Sequence, residues 1–454
     1  MLFTRRDLVK ITLPLIIQQV LSVTIGMIDS MMVSSVGEAA VSGVSLIGSL
    51  DVLLVIAFSS MVTGGTVVVS QFLGRNDAKR TITSAKQVIY VSTGIALLVT
   101  TLILIFRIPL LDLLYGDVEQ EVMYHAQRYF FFMNLSFPFL ALESAGAALF
   151  RAMGNSTVSM LISVFINLLN VGGNALLIYG FEMGAAGAAI ATLFSRIVGG
   201  VVAIVLLHNK KHPIYLEKLW QIKLDFPVIK RILQIGIPSG IESSMFQFGK
   251  LLTQSLISTM PTVSIAANAV ANTLANYQYM PGTAIGQATV TIVGRCIGAK
   301  EKEQAKKYSR ILLLCTYGCL WLVVLGTVLF AEPLIGLFHL SAESTATAKT
   351  LILYHGVVGA AIWPLGFYLP HVFRSASDVK FSLYVSIFSM WAFRVALSYV
   401  FANESVSLFG LTIPGLNMGV LGVWVAMTVD WVFRGGLFLW RYLSGRWMFK
   451  YKEE

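Results

Sequence analysis

A chain of 454 residues that is 56% hydrophobic and only 12% charged, with a mean hydropathy of +0.76, lies far outside the composition of soluble globular domains. It reads as an integral membrane protein. The net charge of +10 could point to an acidic partner, but no basic patch interleaved with aromatics accompanies it, which argues against nucleic-acid binding.

About twelve apolar segments of spanning length follow in order, at 8–32, 46–70, 85–108, 124–150, 157–180, 184–208, 229–258, 264–292, 308–331, 347–371, 381–402 and 418–444. Arg5 and Arg6 precede the first run, yet no small-residue cleavage site follows and the run is too long for a signal peptide. With the N-terminus inside, the inner loops, tails and adjoining span ends hold 26 of the 33 Lys and Arg, and the outer loops and adjoining span ends hold only Arg107, Arg128 and Lys349. The positive-inside rule then puts both termini in the cytoplasm of a cell or inner membrane. Cys296, Cys315 and Cys319 lack metal-ligand spacing and read as packing residues.

The longest polar interval, His208 to Arg231, divides the chain into an N-terminal lobe 1–208, a cytoplasmic linker 209–228 and a C-terminal lobe 229–454. The lobes repeat one another. Pro14 answers Pro238, and Gly74 answers Gly298, at an offset of 224; Phe150-Arg151 answers Phe373-Arg374 and Asn155 answers Asp378 at 223. Met183-Gly184 and Gly187 answer Met418-Gly419 and Gly422 at 235, the difference being absorbed by an insertion near Asn403–Pro414. Six spans is an even number, so both lobes enter the membrane in the same sense. The fold class expected is therefore all-α, with twelve transmembrane helices in two six-helix lobes related by a pseudo-two-fold axis along the membrane normal. That arrangement belongs to transporters whose halves rock about a shared cavity more than to channels. Basic stretches after the second span of each lobe (Arg75 to Arg80 and Lys300 to Lys306) are expected to be short surface helices under the membrane.

Five acids fall inside the spans, Asp29, Asp51, Glu143, Glu242 and Asp430, together with the bases Arg196, Lys250, Arg394 and Arg434. An intramembrane charge is a functional hypothesis by default. At a rise of about 1.5 Å per residue, Asp29 lies roughly 5 to 8 Å from the outer end of its helix, and Asn170, Asn174 and Thr192 roughly 15, 9 and 12 Å from the outer side. One carboxylate, two amides and a hydroxyl at one level could converge on a small cation. Hard oxygen donors suit Na+, and a carboxylate in a low-dielectric pocket can instead take up a proton. The alternative for the amides and hydroxyl is helix-to-helix hydrogen bonding.

Gln18, Asp51, Glu143, Glu242, Gln247, Asn268 and Asn272 are candidates to line a substrate cavity. Of these, Asp51 could be merely interfacial, and Glu242 could pair with a basic residue. Arg394 and Asp430, at similar depth on the last two spans, are expected to neutralise each other. Asn268, Asn272 and Asn276 recur every four residues and give the eighth span one polar face, expected to face a water-filled cavity. No phosphate-binding loop, zinc-protease helix, nucleophile elbow or dinucleotide fingerprint occurs. Energy must come from an ion gradient, or the chain is passive.

The chain resembles the multidrug and toxic compound extrusion (MATE) transporters of prokaryotes over its full length. Carrying the resemblance are Pro14 with Asp29-Ser-Met-Met-Val, Gln71-Phe-Leu-Gly74, Phe150-Arg151-Ala-Met-Gly154-Asn155, Asn170 to Asn174, Gly184 to Thr192, and Gly236-Ile-Pro238. It implies alternating access and export of cationic or amphipathic small-molecule drugs by antiport with Na+ or H+, without a cofactor and without enzymatic chemistry, by a multi-pass monomer in the bilayer. It also implies a first-lobe cation site at Asp29, Asn170, Asn174 and Thr192. Some members have an aspartate at the position of Asn174, and many have a seventh-span acid eight residues after the proline, where this chain has Phe246. A loop acid of some relatives falls at Asp378, where a capping or loop role is expected. Rival readings are a lipid-linked oligosaccharide flippase of the same superfamily, which would need a strongly cationic cavity, a membrane-embedded enzyme, for which His355 has no evident partner, and a channel.

Overall fold

The computed structural model describes residues 2–116, 118–408 and 411–449. Twelve long helices run through them: α1 (Arg5–Ser34), α2 (Glu38–Gly74), α3 (Ala78–Tyr115), α4 (Gln120–Ala152), α5 (Ser156–Gly180), α6 (Gly184–Leu207), α7 (Phe226–Ser258), α8 (Thr262–Gly298), α9 (Lys302–Leu329), α10 (Ala342–Ser375), α11 (Val379–Ala402) and α12 (Gly419–Leu443). Ten are long and apolar enough to cross a membrane. The other two, α7 and α8, carry Glu242 and Lys250 and the asparagine stripe, which lower their hydropathy. The fold class is the all-α membrane protein expected from the sequence.

Polar residues at the helix starts satisfy the first backbone N–H groups. Thr4 and Asp7 form a reciprocal capping box on α1, with the Thr4 N–H donating to Asp7 at 2.8 Å and the Asp7 N–H to the Thr4 hydroxyl at 3.2 Å. Asp77 caps α3 through the Arg80 N–H (3.0 Å) and Asn155 caps α5 through the Val158 N–H (3.4 Å). Because α3 starts at Ala78 and continues unbroken for 38 residues, Lys79 and Arg80 belong to the first turn of a span. The basic stretch is therefore not a separate surface helix, and Lys302 and Lys306 likewise open α9.

The repeat is also written in the backbone. Asn76 and Lys300 both adopt left-handed φ (57° and 64°), as do Gly154 and Ser377 (80° and 64°), Glu182 and Asn417 (52° and 49°), and Gly184 and Gly419 (58° and 57°). These pairs stand 224, 223, 235 and 235 residues apart, the offsets found in the sequence. The insertion that lengthens the last interval is an antiparallel hairpin, Ser405–Leu408 with Leu411–Pro414.

Two compact units form: Met1–Gly240 with Gly294–Lys300, and Ile241–Val293 with Glu301–Glu454. Within the first, α4 packs on α2, α3 and α6, while α5 bridges α1 and α6. The end of α8 joins this unit through a reciprocal contact with the end of α2. A Cβ on Gly74 would lie 2.1 Å from the Arg295 carbonyl oxygen, and one on Gly298 1.9 Å from that of Gln71. Gln71 and Arg295 are themselves 224 apart, so the contact has the form that two-fold related copies make. In the second unit, α12 packs against α10 and α11.

Candidate functional site

Small residues set the spacing of α5 and α6. A Cβ on Gly187 would stand 3.1 Å from the Leu177 backbone, and one on Gly173 meets the Ala191 methyl at 3.0 Å. Close approach of this kind is what small-residue interfaces provide in membranes. It brings Thr192 of α6 to Asn170 of α5. Just beyond Asn174 the α5 helix widens into a π turn, Ala175–Gly180, a feature that recurs at functional sites. The Tyr179 hydroxyl in that turn receives a hydrogen bond from Ser35 (3.0 Å), past the end of α1.

Asp29 of α1 faces this pair of helices. The Asn174 side-chain amide donates to Asp29 Oδ1 at 2.8 Å. One orientation of the Asn170 amide sets its oxygen against acceptors, and the favoured one turns its nitrogen to the Asp29 carboxylate. In it, Nδ2 donates to Asp29 Oδ1 and Oδ2 at 3.1 and 2.8 Å, and Oδ1 lies 3.1 Å from the Thr192 hydroxyl. The four residues thus form one connected cluster across α1, α5 and α6. Asn170 and Asn174 are buried, and Asp29 is half-buried. Among the described residues the Asn174 side-chain oxygen is buried without a hydrogen-bond partner. A buried orphan acceptor is costly, and its neighbours in this cluster are a carboxylate, a second amide and a hydroxyl. Such a set fits a hard cation as cargo.

The other candidates scatter. Asp51 lies 4.0 Å from Arg196, whose guanidinium donates to the Ser136 hydroxyl at 2.6 Å. Glu143 is half-buried on α4, its Cγ 3.4 Å from where a Cβ on Gly199 would stand. Gln18 accepts a long hydrogen bond from Ser159 (3.5 Å), which in turn accepts from Arg151 (3.0 Å). Their counterparts in the second half repeat this arrangement with a charge added. Glu242 accepts from Arg374 (3.0 Å), Ser382 (3.4 Å) and Ser386 (2.9 Å). Glu242 stands 224 from Gln18, while Ser382 and Arg374 stand 223 from Ser159 and Arg151. Nothing in the sequence pattern alone marked Arg374 as the partner; the repeat offset was the signal that could have found it.

A profile of the MatE family matches residues 14–176 and again 238–400, two copies at the same offset of 224. The chain belongs to the MatE family of transporters. At 27% identity it is similar to the uncharacterised transporter YisQ of Bacillus subtilis, over 98% of this chain and 95% of that protein. It is also 26% identical to the probable multidrug resistance protein NorM of Thermotoga maritima, over 98% and 93%. Among solved structures, an outward-facing multidrug resistance MATE family transporter of the MOP superfamily superposes with a TM-score of 0.86 at 20% identity, covering 97% of this chain and 96% of that one.

In the second unit of this MATE transporter three expectations change. Asp430 pairs with Arg434 one turn along α12 (3.1 and 3.3 Å) and not with Arg394. The reason is geometric, since i,i+4 residues share one helix face. Asp378 makes no side-chain cap on α11 but binds Arg441 Nε at 2.9 Å. The asparagine stripe of α8 is largely tied down: Asn268 accepts from Trp424 Nε1 (2.9 Å) and from Asn272 (3.0 Å) and donates to Gln254 (3.2 Å), leaving Asn276 exposed. Gln247 is half-buried on α7. His355 also has a partner, the Tyr279 hydroxyl within 2.8 Å, inside a nest of Trp424 and Trp431.

Proposed function

We propose that this MATE transporter exports organic cations and other amphipathic drugs across the cell membrane by antiport with Na+ or H+, its ion site formed by Asp29, Asn170, Asn174 and Thr192. The observation that carries the reading is the connected cluster around Asp29, with the orphaned Asn174 oxygen beside it. With no ion bound, both amides donate to the carboxylate and tie α1 to α5. A proton or Na+ on Asp29 removes or redirects those bonds, so the two ion states favour different α1–α5 packings. Coupling follows if ion and drug have different affinities for the two arrangements. The lobes that would rock are 1–208 and 229–454, joined by the linker 209–228, with both termini cytoplasmic and the chain acting as a monomer.

Ethidium efflux in inverted vesicles, driven separately by a Na+ gradient and by a pH gradient, tests the reading. At least one gradient should drive transport. A rate that ignores both would reject antiport.

A further inference from the structure

The second compact unit holds a positive centre that the ion site does not use. Arg394 lies in a π turn of α11, Met390–Val395, and is only 5% exposed. Among the described residues its Nη1 is buried without a hydrogen-bond partner, and its guanidinium stands over the Phe246 ring at 5.0 Å. The charged groups that act on it are Asp430 and the like-charged Arg434, and Asp430 is already bonded by Arg434. Glu242 is likewise taken by Arg374, Ser382 and Ser386. A buried guanidinium left in this state is costly, and a cation–π contact offsets only part of that cost.

A second cation stands close by. Lys250 follows Phe246 by one turn on α7, interacts with the charge of Arg394, and is exposed. Gly249 permits the approach of the two helices, because a Cβ there would lie 2.3 Å from Met390 Sδ in the same π turn. An ammonium exposed within a membrane helix is costly against lipid and belongs on a water-lined wall. Beside the pair runs an aromatic stack: Phe367 on Trp363 (5.2 Å) and Trp363 on Tyr279 (5.0 Å). Phe246 meets Phe367 edge to face at 5.5 Å.

We infer that Arg394 and Lys250 form a subsite for the carboxylate or sulfonate of an amphipathic aromatic molecule, whose apolar body lies beside the Phe367–Trp363–Tyr279 stack. The anion supplies the partner that the buried guanidinium lacks, and the exposed ammonium draws it in. That the bound molecule is cargo rests on the export reading; that it binds does not. Anions and zwitterions thereby join the substrate range.

The full chain in nanodiscs of phosphatidylcholine, titrated calorimetrically with 2-naphthoate and with 2-naphthylmethylammonium, tests the subsite. The wild type should bind the anion more tightly than the cation of the same ring. Lys250→Gln, at an exposed position, and Arg394→Gln should each weaken naphthoate binding about 10- to 100-fold and leave the ammonium probe unchanged. Asp29→Asn should still bind naphthoate. Equal affinity for the two probes, or unaltered naphthoate binding by Lys250→Gln, overturns the proposal. Displacement of naphthoate by added phosphatidylglycerol would reassign the pocket to a lipid headgroup and overturn it as well. Gradient-independent ethidium efflux with naphthoate discrimination intact would remove the export reading and leave the subsite standing.

Discussion

Asp29 is held by two amide donors and, among the described residues, by no ion-pair partner, since Arg196 goes to Asp51 and Ser136. Neutral donors can be exchanged for a cation or a proton at small electrostatic cost, whereas a permanent basic neighbour would lock the charge. Asn174 is therefore the position where affinity should be tuned. Replacing it with leucine removes one donor and the orphaned oxygen, and a lost hydrogen bond to a charged group is worth about 1.5 to 3 kcal/mol. In Asn174→Leu, read from initial rates of ethidium efflux, the half-saturating Na+ concentration should rise about tenfold or more because the orphaned oxygen is lost, whereas a half-saturating proton concentration should fall about tenfold or more because the lost donor favoured the ion-free carboxylate; an unchanged half-saturation would remove Asn174 from the site. The contrasting case is Glu242, buried and bonded to Arg374, Ser382 and Ser386. Breaking a buried pair costs about 3 to 5 kcal/mol. Glu242→Ala should thus unfold at a clearly lower temperature while the ion dependence of its residual efflux stays that of the wild type. A shifted ion dependence would give Glu242 a coupling role.

At the scale of helices, the spans, the repeat and the grouping of Asp29 with Asn170, Asn174 and Thr192 were legible because they depend on periodicity, length and rise, which are local properties. Pairing was not. Asp430 had two candidate cations at similar depth, and depth alone does not say which shares its helix face; the i,i+4 spacing to Arg434 does. The asparagine stripe of α8 was visible as a face, but whether a tryptophan indole or water meets it depends on α12, more than 150 residues away. Surface helices were expected after α2 and α8 because basic residues cluster there, yet α3 starts at once behind its Asp77 cap and α9 starts directly after Glu301. Where α2 and the end of α8 cross, a side chain at Gly298 meets backbone that cannot yield. Overpacking costs about 1 to 3 kcal/mol. Gly298→Val should lower the apparent melting temperature by about 2 to 10 °C, while Gly318→Ala, whose added methyl meets open space, should not lower it. Equal effects at the two glycines would contradict the close crossing.

For the whole molecule, the asymmetry between repeats carries the functional argument. One polar cluster is duplicated, Gln18 with Ser159 and Arg151 in one half and Glu242 with Ser382 and Arg374 in the other. The Asp29 cluster is not. Its counterparts at the repeat offsets are Thr253 for Asp29, Phe393 for Asn170, Leu397 for Asn174 and Met427 for Thr192, which offer one hydroxyl and no carboxylate. Duplication preserved the scaffold, and only the first half carries the set of oxygens proposed to bind the driving ion. The most direct measurement compares ethidium efflux by wild type and Asp29→Asn in inverted vesicles, with equal amounts of folded protein in the membrane, under imposed Na+ and pH gradients. Wild-type efflux should follow at least one gradient, and the variant should show no gradient-driven efflux. A variant that still exports ethidium at the wild-type rate along the same gradient would contradict the assignment of the coupling ion to Asp29.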